Sequence, residues 1–98
     1  MDRQAVIETL RVHEPELRAA GIVHLSVFGS VARDEASETS DVDLMAEFDS
    51  AKKMTLLDMV GLENRLSDIL SIKVDLTPAK TMKARVHERA LQEAILAF

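Results

Sequence analysis

The fold is decided by two segments, IVHLSVFGS at residues 22–30 and SDVDLMAEF at residues 40–48. Polarity alternates along residues 22–28, with Val23, Leu25 and Val27 on one side, as is typical of a β-strand with two different faces. The strand is expected to stop at Gly29. Residues 41–48 predict a second strand of the same kind, with its acidic side chains together on one face.

Helices and a third strand are predicted around these two segments. The helices are expected at residues 3–12, 14–21, 30–36, 55–70 and 82–98. Thr55 and Asp58 have the spacing of a capping box, and the helix that they open carries an apolar stripe that includes Leu56 and Val60. Residues 72–76 predict a short strand closed by Thr77-Pro78. This order favours one α/β domain over residues 1–98, a small mixed β-sheet flanked by helices.

Composition excludes several classes of protein. The chain has no cysteine, so disulfide scaffolds, thiolate zinc sites and cysteine nucleophiles are ruled out. No run approaches the roughly 20 apolar residues of a membrane span, and the N-terminus lacks the apolar core of a signal peptide. A cytoplasmic protein without membrane contact is therefore expected.

Charge and aromatic content bear on the kind of partner. Residues 1–49 carry four basic and eleven acidic side chains, whereas residues 50–98 carry eight and six. A net charge of −5, with three Phe and neither Tyr nor Trp, disfavours direct binding of nucleic acid, which uses basic grooves and aromatic platforms. A tyrosine that accepts a transferred group would have to belong to another molecule. So short a domain leaves no room to recognise a bulky acceptor, and a partner protein is expected.

The end of the first strand has the features of a phosphate site. Gly29 lets the backbone approach a ligand, and the amides of the turn that follows attract anions. Ser30 adds a hydroxyl donor, and Arg33, one helical turn further on, is placed to reach a phosphate oxygen. The alternatives are an ordinary turn after a strand for Gly29-Ser30 and a solvated helix face for Arg33.

The second strand has the features of a metal site. Asp41 and Asp43 project from one face and can bind a divalent cation through oxygen ligands, for which Mg²⁺ is the natural candidate. Because a metal relieves their repulsion and bridges triphosphate oxygens, the pair suits a two-metal site for phosphoryl transfer. Asp75, expected to be buried between apolar neighbours, could complete it. The alternatives are a solvated strand face and a surface pair of Lys73 with Asp75.

Together these residues resemble a known family. Gly29-Ser30-Val-Ala-Arg33, then ten residues between Ser30 and Asp41, then Ser40-Asp41-Val-Asp43-Leu44, are similar to the signature of the minimal nucleotidyltransferases, or MNT proteins, of the DNA polymerase β-like superfamily. The resemblance covers nearly the whole chain, and the expected helix at 83–98 is similar to the family's C-terminal helix.

The resemblance implies roles for the motif residues. Gly29 and Ser30, with Ser40 beside the metal ligands, would hold the phosphates of ATP. Asp41 and Asp43 would bind both magnesium ions, and Asp75 would be the third carboxylate, which helps to position the attacking hydroxyl.

It also implies a partner. Small members of this family are commonly antitoxins paired with a helical HEPN toxin, to a tyrosine of which some transfer AMP. We therefore expect a Mg²⁺-dependent nucleotidyltransferase that transfers AMP to a partner hydroxyl within a hetero-oligomer. The main alternative is a binding module that occludes its partner with the helices near residues 54–70 and 82–98. A weaker alternative is transfer to RNA, such as a tRNA end, which the charge disfavours.

Overall fold

The computed structural model describes residues 2–32, 41–51, 53–81 and 94–98. Its helices are α1 (Arg3–Val12), α2 (Glu14–Ala19), α3 (Gly29–Ala32) and α4 (Leu56–Leu70). Its strands are β1 (Ile22–Phe28), β2 (Val42–Phe48), β3 (Val74–Pro78) and β4 (Ile95–Leu96), and a 3-10 turn, Ala79–Thr81, follows β3. Within these ranges no helix has the length and apolar character needed to cross a membrane.

The strands form one mixed sheet of four, in the order β3-β2-β1-β4. Strand β1 is antiparallel to both β2 and β4, whereas β2 and β3 are parallel. A parallel pair needs a long crossover connection, and α4 lies in the segment that joins β2 to β3. The predicted class, a small mixed sheet with helices, is confirmed.

The core lies between one face of the sheet and helices α1, α2 and α4. The helices contribute Val6, Ile7, Leu10, Leu17, Leu62, Leu66 and Leu70 to it, and the sheet contributes Leu25, Val27, Val42, Leu44, Ala46, Val74 and Leu76. All of these side chains are buried. Because side chains alternate along a strand, the residues between these buried ones lie on the opposite face of the sheet. They include Asp43 of β2 and Asp75 of β3. We call this the aspartate face and define it by Ser26, Phe28, Asp43, Met45, Asp75 and Thr77.

Strand β1 differs from its prediction at one position. The pairing with β2 shifts between Ile22 and His24, which marks a bulge. Ile22 is therefore buried, whereas Val23 is 36% exposed instead of facing the core with Leu25.

Helix α4 has the predicted start but a narrower buried stripe. The Thr55 side chain accepts from the Asp58 amide, and the Asp58 carboxylate accepts from the Thr55 amide, so the capping box is confirmed. Leu56 and Val60, expected in the core stripe, are 81% and 49% exposed. Residues advance by roughly 100° around a helix, so Val60 lies almost opposite the buried Leu62.

Strand β3 begins two residues later than predicted, at Val74 instead of Ile72. The reason is the end of α4, where Ser71 adopts a left-handed conformation with φ 55°. There the Ile72 amide donates back to the Ser67 carbonyl at 3.2 Å. The helix termination thus uses the residues that the sequence pattern assigned to the strand.

The predicted C-terminal helix is wrong at its end. Residues 82–93 lie outside the described residues, but Ile95–Leu96 is strand β4, paired with Ser26 and Val27 of β1. The Ala97 amide donates to the Leu25 carbonyl at 2.8 Å. A short apolar run is compatible with either a helix or a strand, and here the edge of β1 provides backbone partners that favour a strand.

Candidate functional site

Gly29 contacts the carboxylate of Asp43 directly. It follows β1 with φ 75°, in the left-handed region that favours glycine. A Cβ built at Gly29 would collide with Asp43 Oδ2 and would lie 3.3 Å from Asp43 Cγ. Glycine is therefore required here both for its backbone conformation and for the close approach of the backbone to a carboxylate.

Asp43 and Asp75 are neighbours on the aspartate face. Strands β2 and β3 are in register at these two residues, and Asp43 also faces Phe28 of β1. Neighbouring strands lie about 4.8 Å apart, so the two carboxylates leave the sheet side by side. Like charges directly opposite each other are destabilising, and a shared cation relieves this repulsion.

The structure corrects the argument for Asp75. Burial was the expected reason for a functional carboxylate at this position, but Asp75 is exposed. Its side chain extends from an edge strand whose buried residues are Val74 and Leu76. The case for Asp75 now rests on its register with Asp43.

Asp41 lies immediately before β2, and its surroundings differ from the prediction. Its Oδ2 is 3.8 Å from the ammonium of Lys73, and the two side chains are 46% and 79% exposed. Lys73 was considered as a partner of Asp75, whereas the ion pair found here joins it to Asp41. An exposed pair of this length contributes little to stability.

The carboxylate oxygens are suitable ligands for a hard cation, but the described residues do not form a complete coordination site. Within residues 2–32, 41–51, 53–81 and 94–98, no three carboxylate or imidazole groups are arranged to hold a metal ion. Asp43 and Asp75 nevertheless offer oxygen ligands from adjacent strands, beside a backbone that has no room for a Cβ. Such oxygen donors are the ligands that Mg²⁺ prefers.

Three predicted nucleotide contacts fall beyond what the structure describes. Arg33 and Ser40 lie outside the described residues, and so does the side chain of Ser30, whose backbone belongs to α3. Their predicted roles stay predictions.

One contact near this site carried no signal in the sequence. Arg3 Nη1 donates to the Ala32 carbonyl at 3.1 Å, which ties α1 to the last residue of α3. These residues are 29 positions apart, and no local pattern joins them. The contact holds the short helix that follows Gly29.

Two crevices are found elsewhere on the described part of the chain. One, of about 770 Å³, lies beyond the ends of β2 and β3 and reaches the start of α4. The other, of about 600 Å³, lies between α2 and α4. Neither is lined by Asp41, Asp43 or Asp75, so neither coincides with the carboxylates of the candidate site.

Comparison with known proteins identifies the family. The family described as nucleotidyltransferase domain matches residues 10–97. The protein adenylyltransferase MntA of Thermococcus cleftensis is 36% identical over 87 residues, which are 88% of this chain and 86% of that protein.

Solved structures agree. One that is assigned as a minimal nucleotidyltransferase is 38% identical, with a TM-score of 0.79 over 97% of this chain and 95% of that one. A chain in the complex of a tri-AMPylated Shewanella oneidensis HEPN toxin with an MNT antitoxin shares the fold, with 15% identity and a TM-score of 0.70 over 98% of this chain and 71% of that one. The family expected from the motif is confirmed, and this chain belongs to the nucleotidyltransferase family of enzymes.

Proposed function

We propose that this protein transfers AMP from ATP to a hydroxyl, most simply that of a tyrosine, on a helical HEPN toxin, and so acts as its antitoxin. The contact of the Gly29 backbone with Asp43, beside Asp75 in register, carries the proposal. The names of the relatives support the reaction, and the complex of an AMPylated HEPN toxin with an MNT antitoxin supports the partner.

The site residues have two roles, phosphate binding and metal binding. Gly29 and Ser30, with Arg33 and Ser40, bind the phosphates of ATP. Asp41, Asp43 and Asp75 are the residues that would hold Mg²⁺, and the ion would supply positive charge to the phosphates and to the leaving pyrophosphate. Asp75 also orients the attacking hydroxyl.

The transfer is an in-line displacement without a covalent enzyme intermediate. The acceptor oxygen forms a bond to the α-phosphorus, the bond from that phosphorus to pyrophosphate breaks, and the hydroxyl proton leaves to water. Positioning of the two reactants supplies much of the rate. The chain has no tyrosine of its own, so a tyrosine acceptor is contributed by the partner in a hetero-oligomer. We place this reaction in the cytoplasm, and the acidic charge favours a protein acceptor over nucleic acid.

Labelling tests this function. The purified protein is incubated with α-labelled ATP, Mg²⁺ and a lysate of its host, and the label is followed on a gel. We expect one labelled protein band, and a loss of about a hundredfold or more in Asp43→Asn while the fold is kept.

The matched control is Glu47→Gln, which removes a charge from an exposed position of the same strand. It should label the band like the parent. Normal labelling by Asp43→Asn, or by the double variant Asp41→Asn/Asp43→Asn, would overturn the proposed function.

A second candidate, occlusion of the partner, is favoured by one observation. Leu56 and Leu57 at the start of α4 are 81% and 84% exposed, and contiguous exposed apolar side chains are a feature of protein-binding surfaces. If occlusion is the function, Asp41→Ala and Asp43→Ala still bind and neutralise the toxin, whereas Leu56→Ser/Leu57→Ser does not.

A further inference from the structure

Among the described strands, β3, which carries Asp75, is paired on one side, with β2. It is five residues long and lies at the edge of the sheet, next to β2. Within the described part of the chain, the backbone amides on its outer side have no strand to pair with, and a sheet edge presents such amides without the partners that a neighbouring strand would give them. Asp75 is exposed, so burial of its own side chain does not fix it either.

Helix α4 supplies the missing partners for this edge. The Val74 amide donates to Ser67 Oγ at 3.1 Å, and the Leu76 amide donates to Glu63 Oε2 at 2.9 Å. Both bonds are partly buried. They engage the residues immediately before and immediately after Asp75.

The spacing of the two pairs explains why one helix can serve both amides. Glu63 and Ser67 are four residues apart on α4, which corresponds to a rise of about 6 Å. Val74 and Leu76 are two residues apart on β3, which corresponds to about 6.6 Å. The two distances nearly match, so the side chains meet successive outward amides of the strand.

Helix α4 is a firm support for these bonds. Leu62, Leu66 and Leu70 bury one side of it in the core, and the capping box closes its first turn. A hydrogen bond that an amide donates to a carboxylate is also stronger than one between neutral groups. Because α4 is fixed in the core, these two hydrogen bonds also fix the backbone on both sides of Asp75.

We propose that Glu63, assisted by Ser67, is a positioning residue for nucleotidyl transfer, which acts by holding β3 so that Asp75 stays in register with Asp43. This inference rests on the proposed function, because it gives Asp75 a role in orienting the acceptor hydroxyl. Glu63 itself acts through the backbone of β3 and not on the substrate.

The first test compares kcat with KM for ATP. Glu63→Met removes the acceptor at similar size and should lower kcat about tenfold to a hundredfold, since a displacement near 1 Å has that effect. The KM for ATP should change little, because Gly29, at the start of α3, and Asp43, on β2, both lie outside β3. Glu63→Gln keeps an amide oxygen as acceptor and should restore most of the rate. The control Asp68→Met removes a charge from an exposed position of the same helix and should leave kcat unchanged.

The second test asks whether Glu63 acts through Asp75. In an Asp75→Asn background, Glu63→Met should cause little further loss, because the two residues act as a unit. A general structural defect would instead lower the rate by the same factor in both backgrounds, and that result would overturn the inference. If Glu63→Met fails to fold, Ser67→Ala takes its place and removes the bond to the other neighbour of Asp75.

The two proposals fail in different ways. A parent protein that transfers no AMP would overturn the proposed function and this inference with it. An active parent whose kcat survives both Glu63→Met and Ser67→Ala would overturn only the inference.

Discussion

At the scale of single residues, the candidate site contains a close approach that few side chains would permit. Gly29 meets the Asp43 carboxylate because it has no Cβ, and Asp43 in turn lies beside Asp75. The surroundings of two carboxylates differ from those that the sequence suggested. Asp75 is placed by register and not by burial, and Asp41 lies near Lys73.

Gly29→Ala should therefore impair both folding and activity. The left-handed backbone alone costs a residue with a side chain about 1–2 kcal/mol of unfolding free energy, and the collision with Asp43 adds to this. Denaturant unfolding and the labelling assay measure the two effects.

The matched control is Gly61→Ala. A Cβ at Gly61 meets nothing within 4 Å, so this change should stabilise α4 by about 0.5–1 kcal/mol and leave transfer intact. If Gly29→Ala behaved like Gly61→Ala, the close contact with Asp43 would have no importance.

At the scale of elements, α4 has three tasks. It connects the parallel strands β2 and β3, it fills the core through its buried leucines, and it satisfies the outer amides of β3. Its first turn is set locally by the capping box of Thr55 and Asp58. The same helix exposes Leu56 and Leu57 in its first turn.

Stability should depend on pH through the capping box. The hydrogen bond from the Thr55 backbone, followed by that from its side chain, lowers the pKa of Asp58 below its ordinary value. A lowered pKa in the folded state means that the contribution is complete above the ordinary pKa and is lost as the pH falls through the folded one.

The difference in unfolding free energy between the parent and Asp58→Ala should thus be constant near neutrality and shrink in strong acid. Urea titrations at several pH values measure it. Thr55→Ala should cost about 1 kcal/mol at neutral pH. A difference for Asp58→Ala that grew in acid would contradict the assignment.

At the scale of the whole molecule, contacts between distant segments secure the sheet. Arg11 Nε donates to the Ala97 carbonyl at 2.7 Å, and the guanidinium of Arg18 lies 5.0 Å from the centre of the Phe98 ring. These arginines hold β4 and the residues after it against β1 and the helices. Helices α1, α2 and α4 pack on the face of the sheet opposite the aspartate face.

Arg11→Met should loosen this end of the sheet. A hydrogen bond from a charged donor contributes about 1.5–3 kcal/mol, so the free energy of unfolding should fall by up to that amount. Hydrogen exchange at the Ala97 amide should also become faster. The control Arg65→Met breaks the exposed pair with Glu16 and should change exchange at Ala97 little. Equal effects of the two variants would show that Arg11 has no special part in holding β4.

The sequence by itself determined the features that depend on neighbouring residues. The alternation of residues 24–28 and 42–48, the capping box at Thr55 and the glycine after β1 all follow from local periodicity and turn chemistry. The motif built from these elements was enough to identify the family. The carboxylates of the motif could be identified from the sequence because their spacing within one strand is also a local pattern.

Only the tertiary structure decided which distant residues meet. The register of Asp43 with Asp75, the strand at Ile95–Leu96 and the acceptors Glu63 and Ser67 for the edge of β3 join segments far apart in sequence. A local pattern could not predict them, because a short apolar run suits a helix as well as a strand until a backbone edge is available to pair with it. Strand pairing determines the first two features, and the packing of α4 determines the third.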